Sequence, residues 1–160
     1  MACRGVFFAL TREQDDALVA TADDDEVRDF VESVEEQWDD AWLCEVDKSW
    51  DALHRCLGDG TLRCGYGRHG GGPLETAVLG GGHHYEGADY VVAHVPAADV
   101  PAVATALQGV DEGWLRDRHQ RVGQGGMEDF DYLWHYFREV RDFYGRAAAA
   151  GRSVIFTVDQ

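Results

Sequence analysis

Apolar residues open the chain as a short run and are then spaced mostly at helical intervals. Gly5–Leu10, with two phenylalanines in an unbroken apolar stretch, predicts a buried strand. Residues 11–20 carry a weaker helical pattern. Asp23 with Glu26 three residues on resembles a capping box, and acids crowd the first turn, where the helix dipole favours them. Val27, Phe30, Val31, Val34, Trp38 and Ala41 then form one apolar face, opposed by Glu32, Glu36, Asp39 and Asp40.

Residues 43–46 predict a strand that leads into D-K-S-W-D-A-L-H-R-C-L at residues 47–57. Here Asp47 is placed to cap a helix whose stripe is Trp50, Leu53 and Leu57. His54 borders that stripe. Asp51 lies three residues from both Lys48 and His54 and four from Arg55, so each can reach it and Asp51 becomes the hub. A surface ion-pair cluster beside a half-buried histidine explains this pattern, and so does an Asp51 that orients His54 as a general base. Ser49 and Cys56 fall on the far side of the wheel, so no nucleophile accompanies the histidine.

Eleven of nineteen glycines lie between Gly58 and Gly87, which predicts a long loop with one strand at residues 76–79. Tyr90–Val95 reads as a β-branched strand. A helix follows from about Val100, where Pro101 restricts the residue before it, to Gly109. Residues 111–120 form a polar helix. The last helix, residues 128–150, aligns Phe130, Leu133, Phe137, Val140 and Tyr144, with Trp134 and Tyr136 widening the face. Gly151 ends it, and residues 154–158 supply a closing strand whose apolar run suits a sheet interior. These elements predict one α+β domain over residues 1–160, a mixed sheet flanked by amphipathic helices.

The run D-K-S-W-D-A-L-H at residues 47–54 resembles the motif of the YfbM-like family, small bacterial proteins of uncharacterised function. Three further stretches are similar to that family: P-L-E-T-A-V-L-G-G at residues 73–81, the strand and helix of residues 90–107, and the chain from Tyr132 onward with F-Y-G-R-A-A-A at residues 143–149. The resemblance implies one α+β domain and assigns no activity. The glycine-rich loop after Gly58 and the adjacent His83 and His84 depart from it.

A hydrophobic share of 45% with 11% aromatics supports a folded chain over disorder. Thirty acids against fourteen bases leave a formal charge of -16, which repels a phosphate backbone and steers basic proteins or small cations inward. Nucleic-acid binding is therefore not expected. Lysine occurs once, as Lys48, against thirteen arginines, and it sits in a first helical turn where the dipole disfavours a cation. Cys3, Cys44, Cys56 and Cys64 form no C-x-x-C pair, no secretory signal is visible, and no apolar segment approaches the ~20 residues of a membrane span. These features predict a cytoplasmic protein with reduced thiols.

Residues 65–70 spell G-x-G-x-x-G, but Gly71, Gly72 and Pro73 follow where a dinucleotide site requires a helix, so no nucleotide cofactor is predicted. Cys64, His69, His83, His84 and Glu86 are ligand types for zinc or nickel, yet their spacings match no finger or hydrolase pattern, and no metal site is predicted. With no complete catalytic constellation, the leading expectation is a non-catalytic binding or regulatory protein for a basic protein or small ligand. Asp47, Lys48, Trp50, Asp51, His54, Arg63 and Arg68 are its candidate contacts. The alternative is a small-molecule enzyme with His54 as base and Asp51 as its orienter, in a cleft covered by the glycine-rich loop.

Overall fold

Strand β1 (Gly5–Leu10) turns alternate side chains to opposite faces: Phe7 and Ala9 join one apolar cluster, Phe8 and Leu10 another. Both faces of the sheet are therefore covered. The computed structural model describes residues 3–62, 72–122 and 129–159. Arg63, Cys64, Arg68, His69 and the G-x-G-x-x-G run lie outside the described residues.

The sheet has the order β2 (Leu43–Asp47), β1, β5 (Ser153–Asp159), β4 (Tyr90–Val95), β3 (Gly82–His83). Every neighbouring pair is antiparallel, not mixed as the helix-linked strands suggested. The cause lies in the last strand. β1 and β4 run in the same direction, but β5 occupies the centre between them and is antiparallel to both. Its interior place accords with its apolar run.

Helices α1 (Arg12–Val19) and α2 (Asp24–Gln37) cover one face through Leu18, Val27, Val31 and Val34. Asp23 accepts from the Glu26 N–H at 2.9 Å, while the Glu26 carboxylate reaches back to the Ala22 N–H at 2.7 Å, one residue beyond a true capping box. The helix stops earlier than its apolar stripe suggested. Trp38 adopts a left-handed conformation (φ 34°), and a 3₁₀ turn at Asp40–Trp42 follows.

The opposite face carries the larger cluster, built by α3 (Ser49–Leu57), α5 (Val100–Gln108) and α7 (Phe130–Ala149), with α6 (Glu112–Val122) against α3 and α7. Phe7 sits at its centre, with Phe156 4.8 Å and Phe143 5.9 Å away between ring centroids. The expected strand at residues 76–79 is absent. Pro73 starts a short helix, α4 (Pro73–Thr76), and Ala77, Val78 and Leu79 form a buried turn. That turn is held by the Tyr144 hydroxyl, which donates to the Ala77 carbonyl at 2.6 Å. Strand β3 beyond it went unpredicted because two residues carry no periodicity. Gly81 lets it approach β4, since a Cβ there would lie 2.5 Å from the His94 carbonyl oxygen.

Candidate functional site

The junction of β2 and α3 is distorted. Gly5 lies opposite Asp47 and Val6 opposite Glu45, so one step along β1 spans two along β2, and Val46 is the extra residue of a bulge. Asp47 takes φ 47°, in the left-handed region that aspartate enters more readily than most residues. A bulge and a left-handed residue together redirect the side chain of Asp47. It does not cap the helix: Lys48 holds the cap position, without a side-chain cap bond. The buried Ser49 hydroxyl instead donates to the Val46 carbonyl at 2.6 Å, which secures the turn.

Asp47 faces helix α7. The Tyr132 hydroxyl donates to Asp47 Oδ2 at 2.9 Å and accepts from the Lys48 N–H at 3.4 Å. Burial, and then this bond to Asp47, pushes the Tyr132 pKa up to about 12. Asp47 Oδ1 is shut off from solvent and has no hydrogen-bond partner. Its neighbour is the Arg4 Nε at 3.5 Å, an ion pair without a hydrogen bond, from a side chain 77% exposed. Arg4, Gly5, Glu45, Asp47 and Tyr136 line a cavity of about 250 Å³ here. Tyr136, whose ring lies 4.9 Å from that of Tyr132, is the aromatic residue of its lining. Burial raises the Tyr136 pKa, and the Asp47 and Glu45 charges raise it further.

Trp50 supports the site from below. Its indole N–H donates to the Cys3 carbonyl at 3.0 Å, and its ring packs against Phe156. Gly5 passes so close that a Cβ there would lie 2.6 Å from the Phe156 ring and 3.1 Å from the Trp50 ring. The backbone on either side of Arg4 is thus pinned. Lys48 itself is exposed at the helix start.

Asp51 turns the other way. Its carboxylate receives Arg55 Nε at 2.5 Å, and among the described residues no hydrogen bond joins it to His54. His54 is 7% exposed, and burial lowers its pKa against opposing pulls from Asp51 and Asp59, which keeps the imidazole neutral at pH 7. Arg118 donates to the Cys56 carbonyl at 3.0 Å and also to that of Gly58, closing the end of α3.

His83 and His84 take different partners. His83 Nε2 donates to the Leu79 carbonyl at 2.8 Å, while the His84 ring lies 5.1 Å from that of His94. His94, buried on β4, donates to Asp15 at 2.6 Å. Asp23, Asp24, His83, His84 and Glu86 share a hollow of about 610 Å³, but Asp24 is already bound to the Glu86 and Gly87 N–H groups, each at 2.9 Å. Among the described residues, no three His, Cys, Asp or Glu side chains converge as metal ligands, and no helix is long and apolar enough to cross a membrane.

Of the sequence candidates, Asp47 lines the cavity, Lys48 and Trp50 lie beside it through the Tyr132 hydroxyl and the Cys3 carbonyl, and Asp51 and His54 lie further along α3. Arg4, Glu45, Tyr132 and Tyr136 were missed as site residues. The spacing of the two tyrosines, four apart on a predicted helix, was the available signal, and nothing in sequence linked them to Asp47.

A search of the curated proteins finds no match. Among solved structures, the protein of unknown function YfbM from Escherichia coli has a similar fold, with TM-score 0.66 and 19% identity over 97% of this chain and 99% of that one. Residues 1–157 match the family described as a domain of unknown function, DUF1877. The resemblance carried by the D-K-S-W-D-A-L-H run and the match across nearly the whole chain therefore agree, and the chain belongs to the DUF1877, YfbM-like family.

Proposed function

We propose that this protein binds rather than catalyses, and that it recognises a positively charged group in the cavity at the end of β2. One observation carries this reading: Asp47 Oδ1 is sealed from water without a hydrogen-bond donor, at a cavity that Glu45 and Tyr136 also line. An acceptor in that state is costly, and a cationic donor entering the cavity offsets the cost. The formal charge of -16 supports the same choice of ligand, since it raises the local concentration of cations. A small amine or guanidine suits the cavity, as does a basic side chain presented by a protein. The catalytic alternative draws less support, because Asp51 is engaged by Arg55 and His54 is buried.

The test is a titration of ¹⁵N-labelled protein with methylammonium and methylguanidinium chloride at low and high salt. Saturable shifts at Glu45, Asp47 and Tyr136, weakened by salt and abolished in Asp47→Asn, are expected. Shifts confined to other surfaces, or equal in the variant, would overturn the reading.

A further inference from the structure

Resting on that cavity reading, we infer that the site is specific for a guanidinium group and that, in the free protein, Arg4 of the same chain stands in for it. Arg4 reaches Asp47 Oδ1 with Nε at 3.5 Å, inside the ion-pair range but without forming a hydrogen bond. Its position follows from the backbone. The Trp50 indole holds the Cys3 carbonyl, Gly5 is wedged beside Phe156 and Trp50, and Gly5 lies opposite Asp47 in the sheet. The guanidinium is thus delivered to the cavity although its side chain is largely exposed and weakly held. Oδ1 stays shut off from solvent and without a hydrogen bond beside it.

The walls favour a guanidinium over an ammonium. Tyr136 offers an aromatic surface on which a planar, weakly hydrated cation stacks. Tyr132 already occupies Asp47 Oδ2, leaving Oδ1 and the Glu45 carboxylate as two separate acceptors. A guanidinium fork has enough fixed donors to serve both, whereas an ammonium is compact and strongly hydrated. A ligand enters by displacing Arg4, and the loss of that exposed contact costs little.

Titrations of the full chain with methylguanidinium, methylammonium and the peptide acetyl-Gly-Arg-Gly-amide test this, followed by ¹⁵N shifts. Methylguanidinium is expected to bind at least tenfold tighter than methylammonium, and Arg4→Gln to tighten it by up to about fivefold, the scale of an exposed ion pair. Tyr136→Leu should erase the preference between the two cations while leaving some binding of both. If both cations bind through Asp47 but equally well, or Arg4→Gln weakens or leaves unchanged the guanidinium affinity, the inference fails and the cation cavity stands. If neither cation binds the native protein or Arg4→Gln, both fail. Tighter binding of the peptide than of methylguanidinium identifies a protein arginine as the source, and weaker binding identifies a small guanidine. Either result supports the site.

Discussion

Tyr132 donates its hydroxyl to Asp47 at 2.9 Å across 85 residues of sequence, tying the first turn of α7 to the end of β2. The same oxygen accepts from the Lys48 N–H, so one hydroxyl serves a strand end and a helix start. This contact holds a left-handed Asp47 with one carboxylate oxygen committed and the other shut off from solvent without a hydrogen bond.

Removing that hydroxyl isolates its worth. Tyr132→Phe is expected to lower unfolding stability by about 1–2 kcal/mol in urea melts, because a half-buried carboxylate loses its donor. The native tyrosine also has a pH signature. Its folded pKa, about 12, lies above the unfolded value of 10.0. The unfolded chain therefore releases its proton first as pH rises, and this stabilisation is present below pH 10 and lost between about 10 and 12. Melts of the Phe variant should lack that component of the alkaline decline; an unchanged decline would show that Tyr132 does not contribute to it.

Gly5→Ala probes the wedge behind Arg4. The new methyl would lie 2.6 Å from the Phe156 ring, with Trp50 at 3.1 Å, so aromatic side chains of the core must shift. Overpacking of this kind costs about 1–3 kcal/mol. Circular-dichroism melts should show the loss. A variant as stable as the native chain would mean that the strand end moves freely enough to spare the core.

His54 predicts acid sensitivity of defined sign. Burial lowers its folded pKa beneath the unfolded value of 6.5, so the unfolded state binds the extra proton first on acidification. The stability contributed by the neutral, buried ring is present above pH 6.5 and lost as pH falls through the folded pKa. Urea melts between pH 7.5 and 5 should fall more steeply for the native chain than for His54→Gln. Parallel slopes would show that the imidazole is not the proton acceptor concerned.

Thiol chemistry offers a check on the core. Burial pushes Cys44 up to about 12 and Cys56 up to about 11, so neither forms appreciable thiolate at neutral pH. Iodoacetamide at pH 7.5, read by peptide mass spectrometry, should leave both unmodified in the native protein and label both in urea. Rapid labelling of Cys56 without denaturant would mean that α3 opens locally.

Helical periodicity alone was enough to locate the long α2 and α7 helices and their buried faces, because an amphipathic stripe repeats over many turns and each turn restates it. Apolar runs likewise located β1, β4 and the central β5. The D-K-S-W-D-A-L-H stretch was legible as a helix with a buried tryptophan, since Trp50, Leu53 and Leu57 obey the same spacing. Pairing direction was not legible: whether β5 enters between β1 and β4 depends on contacts about 150 residues apart, and local propensity carries no record of them. The same reason separated the sequence hub from the structural one. Asp51 could be matched to neighbours three and four residues away, but the partners of Asp47 come from Arg4 on one side of the sheet edge and Tyr132 on a distant helix. The bulge at Val46, a mismatch of two strands, and the left-handed backbone of Asp47 together turn it toward them.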